Sequence, residues 1–168
     1  GVSFEGIRPD YRQLMLYDLA TGQTRSLVPD GKYRITQVGW WGTDIWFEGG
    51  DPHTSVSRSP KLYLLNPATG DCRTFCAPDG FLGTSAIGDM SLGGGKVCAV
   101  QGDSLYAVRL QRDVTALLRF DKAGNFAPVA SYEGIACFDI IGENAYLAAF
   151  RAHRPQELYR QPLSGGEP

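Results

Sequence analysis

The chain has 168 residues, 43% of them hydrophobic and 20% charged, with a formal net charge of −2, the profile of an ordinary globular protein long enough to bury a core. Its lysines and arginines are scattered, so no basic stripe can be drawn to neutralise phosphates, and nucleic acid is excluded as a partner. No apolar run approaches the roughly 20 residues of a membrane-spanning helix, and 21 Gly and 10 Pro interrupt the chain too often for long helices, which predicts an all-β fold.

The first predicted strand, residues 14–17, runs into Leu16-Tyr17-Asp18-Leu19-Ala20-Thr21-Gly22. Asp18 starts a turn, because its short side chain can accept backbone N–H groups two residues on. Gly22 closes the turn in the left-handed conformation that a bulged hairpin requires. A returning strand, 24–28, ends at Pro29-Asp30-Gly31, and two more apolar stretches follow at 35–41 and 44–48. The opening unit then recurs as Leu64-Leu65-Asn66-Pro67-Ala68-Thr69-Gly70, with a return at 72–75 and a second Pro78-Asp79-Gly80 turn. After it come 85–92 and 96–100. Residues 104–110 read as one strand more than the period needs, either an extended second strand or an insertion. The third copy is Arg119-Phe120-Asp121-Lys122-Ala123-Gly124, with a return at 126–131, Tyr132-Glu133-Gly134, and final stretches at 135–141 and 144–151.

The closing glycines stand about 48 and 54 residues apart, the length of a propeller blade. Four strands per period predict antiparallel four-stranded blades. The expected fold is a partial β-propeller of about three to four blades in a single domain spanning 1–168. Its parts are a half blade at 13–31, blades at 35–80 and 84–134, and an incomplete one at 135–163.

Residues that carry chemistry are sparse. Gly83-Thr84-Ser85-Ala86-Ile87-Gly88 approximates a serine nucleophile elbow, but its second Gly falls one residue late and no helical pattern follows, so Ser85 reads as the start of a strand. The two histidines, His53 and His153, occupy corresponding loops after the second strand of a blade, and equivalent loops of neighbouring blades open on one face. Asp51 and His53 could supply two metal ligands, yet a site needs three or four, so no metal, cofactor or catalytic residue is assigned. Trp40, Trp41 and Trp46 could stack on a ring, but Trp40 and Trp41 face opposite sides of a strand and at most one enters the core. Gly93-Gly94-Gly95 lacks the Lys-Ser/Thr ending of a phosphate loop. The residues read as open to contact on faces and loops are Trp41, Asp51, His53, His153 and Arg154. Cys72 and Cys76, on one face of an extended strand, would lie about 13 Å apart, too far for a disulfide. Free thiols in a reducing cytoplasm are the expected state of these and of Cys98 and Cys137.

Three further stretches carry a resemblance to a known family: Lys61-Leu62-Tyr63-Leu64 and Leu117-Leu118-Arg119-Phe120-Asp121 as third blade strands, and Arg154-Pro155-Gln156-Glu157-Leu158-Tyr159-Arg160 as the last blade. With the repeat, they make the chain resemble the propeller of the prolyl oligopeptidase family of serine peptidases, in its acylaminoacyl-peptidase branch. The resemblance implies a propeller that caps an α/β-hydrolase domain of a parent chain and restricts access to short peptides. The expected function is therefore non-catalytic gating and positioning of peptide substrates. TolB-like or WD40-like modules that bind a protein partner share these strand-and-turn patterns and are the alternative. An enzyme reading would place a lyase or glycosidase site on Asp51, His53 and the tryptophans. An incomplete ring exposes its end faces, which predicts a homodimer or aggregation unless the ends rearrange locally, with residues 14–19 and 156–161 near the contacts.

Overall fold

A strand followed by a tight turn and a returning strand makes an antiparallel pair, and the chain repeats that unit throughout. The computed structural model describes residues 13–53, 60–78, 80–83, 95–111, 114–151 and 154–166. Ser85, the predicted strand 85–92 and His153 lie outside them. Among the described residues there are thirteen strands and no helix. β1 (Leu14–Tyr17) pairs with β2 (Thr24–Val28). β3 (Arg34–Trp41), β4 (Asp44–Gly50), β5 (Lys61–Leu65) and β6 (Cys72–Cys76) form a four-stranded sheet. β7 (Cys98–Gln101), β8 (Ser104–Gln111), β9 (Val114–Phe120) and β10 (Phe126–Tyr132) form another. β11 (Gly134–Ile141), β12 (Asn144–Phe150) and β13 (Glu157–Pro162) form a third, in chain order like the others. The fold is all-β, in four antiparallel sheets of two to four strands.

The hairpin turns follow the predicted chemistry. Asp18 Oδ1 accepts the N–H groups of Ala20 and Thr21 at 2.8 and 3.0 Å, and Asn66 Oδ1 those of Ala68 and Thr69 at 2.9 and 3.1 Å. Asp121 Oδ1 accepts the Asn125 N–H at 2.9 Å. Gly22, Gly70 and Gly124 close these turns with φ of 70, 80 and 97°, where an L side chain is strained. After β13 the Gly165 N–H donates to the Pro162 carbonyl at 3.0 Å, with the same spacing as the bond from Gly124 to Asp121 at 3.1 Å.

Each of the three hairpins also carries a β-bulge at the same repeat position. Leu14 pairs with Val28 but Met15 with Ser26, Leu62 with Cys76 but Tyr63 with Thr74, and Leu117 with Ala130 but Leu118 with Pro128. Leu27, Phe75 and Val129 are thus the extra residues, and the bulge increases local twist. It also corrects the reading of the cysteines. Cys72 lies opposite Leu65 and Cys76 opposite Leu62, so the extra residue turns the two thiols to opposite faces of the sheet; no disulfide links them.

Residues 104–110 are not surplus. As part of β8 they pair with both β7 and β9, and the sheet reaches four strands without 85–92. The signal was Gly102, whose turn between β7 and β8 matches Gly42 between β3 and β4 and Gly142 between β11 and β12, with φ of 57, 65 and 59°.

The contacts divide the chain into two compact units: Gly1–Gly39 with Thr43–Pro78, and Trp40–Gly42 with Asp79–Pro168. In the first, Ile35, Ile45, Phe47, Leu65, Tyr63 and Cys72 of the four-stranded sheet pack on Leu14, Leu27 and Val28 of β1 and β2. In the second, Ile135, Phe138, Ala145, Leu147 and Ala149 pack on Tyr106, Val108, Leu117 and Tyr132. Both units use the same faces: residues at equivalent positions of β4 and β12 rest on the preceding sheet.

The turn carboxylates make a pH-dependent contribution to the fold. The Thr21 and Ala20 N–H groups hold Asp18 below its ordinary value of 3.8, and bonds from Asn125, side chain first, do the same for Asp121. A folded value below the unfolded one stabilises the fold fully above about 3.8 and loses that contribution as pH falls through the lowered value. Asn66 already serves in the middle copy, so Asp18→Asn with Asp121→Asn should keep the turns and flatten the fall of melting temperature between about pH 5 and 2. Melts across that range check it; an unchanged acid limb counts against these turns as its source.

Candidate functional site

Each unit holds a pair of tyrosines in ring contact. Tyr33 stands just ahead of β3 and Tyr63 in the middle of β5. Their ring centroids are 4.6 Å apart at 43°, and Phe47 stacks on Tyr63 at 4.9 Å and 11°. Gly49 leaves room for this arrangement, since a Cβ there would lie 3.1 Å from the Phe47 ring and 3.3 Å from Tyr63. Lys32 Nζ sits 5.4 Å from the Tyr33 ring centroid, a cation–π distance. Arg34 Nη2 donates to the Asp51 carbonyl at 3.1 Å.

The same pair recurs in the other unit. Tyr132 stands just ahead of β11 and Tyr159 in β13, with centroids 5.1 Å apart at 50°. Tyr159 Oη donates to Glu157 Oε2 at 2.9 Å. The charges around the pair are inverted: where Arg34 follows Tyr33 and Asp51 follows β4, Glu133 follows Tyr132 and Arg151 follows β12. The first cluster therefore sets a carboxylate, and the second a guanidinium, at the mouth of the loop after the second strand.

Burial raises Tyr33 and Tyr63 above their ordinary value of 10.0, helped by the neighbouring Cys72 thiol and, at Tyr63, by Asp51. It raises Tyr132 as well, against the pull of Arg151. The bond to Glu157 is the first cause at Tyr159. All four phenols are therefore neutral donors at physiological pH. Burial also raises Cys72 above its ordinary 9.0, with Lys32 opposing, which disfavours the thiolate. The clusters bring aromatic rings and a charge together but do not assemble a base beside a nucleophile.

The residues singled out in the sequence fall around these clusters to differing degrees. Trp41 is buried with Lys122 Nζ 5.7 Å from its ring centroid, and Trp46 is buried too, whereas Trp40 is exposed. Trp41 is thus part of the packing and offers no open contact. Asp51 Oδ1 accepts the His53 N–H at 2.8 Å, so the Asp-x-His spacing serves a turn. Both residues are exposed beside the first cluster. Arg154 is exposed, and its N–H donates to the Arg151 carbonyl at 3.2 Å. Among the described residues no group of three His, Cys, Asp or Glu side chains is placed to hold a metal ion, and no helix is long and apolar enough to cross a membrane. The tyrosine pairs were missed in the sequence because their members are about 30 residues apart; the signal was that Tyr63 and Tyr159 stand at the same place in Lys61-Leu62-Tyr63 and Glu157-Leu158-Tyr159.

Tyr132 Oη and Thr115 Oγ1 are buried without a hydrogen-bond partner among the described residues, and the two residues lie opposite each other in the β9–β10 ladder. A buried hydroxyl left unsatisfied costs about 1 to 3 kcal/mol. Tyr132→Phe should therefore leave stability unchanged or raise it by about 1 kcal/mol, measured by urea unfolding. A loss of more than about 1 kcal/mol would show that the hydroxyl is bonded.

No family model and no curated protein matches the chain. Among solved structures it is similar to one described as the computationally designed Ika4 protein, at 9% identity and a TM-score of 0.48, covering 90% of this chain and 80% of that one.

Proposed function

We propose that the chain is a non-catalytic β-propeller segment that gates and positions short peptides for an α/β-hydrolase domain of the serine oligopeptidase kind. The observation that carries the propeller part is the repeat itself. Bulged hairpins recur at one position of the period, and in each unit the same face of one sheet rests on the sheet before it. The peptidase part rests on the resemblance of the third strands and the last sheet to that family. The partly exposed rings of Tyr33, Tyr63 and Tyr159 suit the role, since they can stack on peptide side chains in weak, sequence-tolerant contact. A cytoplasmic setting, in which the four thiols stay reduced, goes with this reading.

Two measurements test it. Titrating the purified chain with short N-acetylated peptides should quench tyrosine fluorescence without hydrolysis, and Tyr63→Ala or Tyr159→Ala should weaken the response. Turnover that disappears with Ser85→Ala would overturn the non-catalytic reading. The reading frame past Pro168 tests the parent enzyme: a Gly-x-Ser-x-Gly with later Asp and His supports it, and an immediate stop codon sinks it. Binding of a folded protein partner without any response to peptides would instead favour the stand-alone module.

A further inference from the structure

The last strand of a sheet leaves a row of backbone N–H and C=O groups unpaired on its far side, a template on which a further strand can add. Among the described residues β2, β6 and β10 each end their sheet, and each is broken at one place. The bulge residues Leu27, Phe75 and Val129 divide them into 24–26 and 28, 72–74 and 76, and 126–128 and 130–132, so no regular run exceeds three residues. The pairs inside the two four-stranded sheets, β4 with β5 and β8 with β9, run without a shift.

The run next to each turn also carries a residue ill suited to a sheet interior. Arg25 lies opposite Leu16 and Arg73 opposite Leu64, at the same rung of their hairpins. In the third hairpin that rung holds Ala127 opposite Arg119, and the outer strand has Pro128 beside it. A strand added at β2 or β6 would crowd a guanidinium that now stands in water, and proline has no N–H to give to a ladder. Packing explains the bulges but not these residues. Leu27 and Val129 belong to the packed clusters and Phe75 is buried, whereas Arg25, Arg73 and Pro128 are all exposed. Arg25 has a second use, since its Nη2 donates to the Pro67 carbonyl.

We propose that Arg25, Arg73 and Pro128, each set in the short regular run that a bulge leaves, close the outer edges to strand addition, so that neither a second copy of this chain nor an extended peptide joins the sheets at β2, β6 or β10. The device lies within single sheets and repeats with the hairpin. It does not rest on the peptidase reading, but it limits how any peptide is held: at these edges side chains make the contact, and the backbone ladder used in strand-addition complexes is refused.

The test opens two edges by substitution at exposed positions. Arg73→Thr with Pro128→Thr should make the whole chain associate at a concentration at least about tenfold below that of the parent, measured by sedimentation from about 1 to 100 μM. Amide hydrogen exchange locates the contact: in the associated variant the amides of β6 and β10 should become protected. In the parent they should exchange alike at both ends of that range. A variant that associates no more readily than the parent overturns the proposal. So does association that leaves those amides unprotected, or a parent whose own β6 and β10 amides become protected as concentration rises. Arg73→Lys keeps the charge and should behave as the parent; association as strong as that of Arg73→Thr would also overturn it. Circular dichroism checks folding, and if the double variant is not folded, each single variant is read at its own strand.

Discussion

Phe47→Ala should lower the stability of the first unit by about 3 to 5 kcal/mol, the usual cost of removing a large aromatic side chain from a packed core. Phe47 has no exposed surface. Its ring stacks on Tyr63 at 4.9 Å and lies 5.5 Å from Tyr33, and the residue also belongs to the cluster that joins the four-stranded sheet to β1 and β2. Removing it therefore opens a cavity at the one place where both the core and the tyrosine pair are supported. Equilibrium unfolding in urea, followed by tyrosine fluorescence, measures the effect. Phe47→Leu should cost distinctly less, because Leu147 fills the equivalent position in the other unit. Equal losses for Ala and Leu would mean that ring stacking, and not volume, holds the cluster.

Gly95→Ala is expected to cost about 2 to 3 kcal/mol through overpacking. A Cβ at Gly95 would lie 2.1 Å from the Cβ of Cys137 and 2.5 Å from its Sγ. Rotating the thiol cannot relieve a clash with a Cβ. Nor can the backbone withdraw freely: the Phe138 N–H donates to the Lys96 carbonyl at 2.9 Å, and Lys96 Nζ meets Asp139 Oδ1 at 2.8 Å. The approach of the segment before β7 to β11 is thus held from both backbone and side chain. Cys137→Gly in the same chain should restore part of the loss, because neighbours in contact are coupled. A Gly95→Ala protein as stable as the parent would argue against so close an approach.

The local chemistry was legible in the sequence where it depends on few residues. An Asp or Asn that accepts N–H groups two or three positions on, followed by a glycine at positive φ, needs nothing from the rest of the chain. For that reason the turns at Asp18, Asn66 and Asp121 and their returning strands followed from residue types alone, and the Gly and Pro that interrupt the chain indicated an all-β fold. Tertiary structure decided what depends on pairing. The bulges at Leu27, Phe75 and Val129 exist only relative to a partner strand, and one extra residue sent Cys72 and Cys76 to opposite faces. Residues 104–110 became an inner strand because β7 and β9 were both available to pair with them, which spacing counted from the other turns did not reveal. Trp41 and Ile141 hold equivalent positions, and nothing in either residue says that one is buried and the other exposed. The tyrosine pairs arose in the same way, from strands distant in sequence that the sheet order sets side by side. A side chain's exposure is a property of what packs against it, and only the folded arrangement of the sheets supplies that.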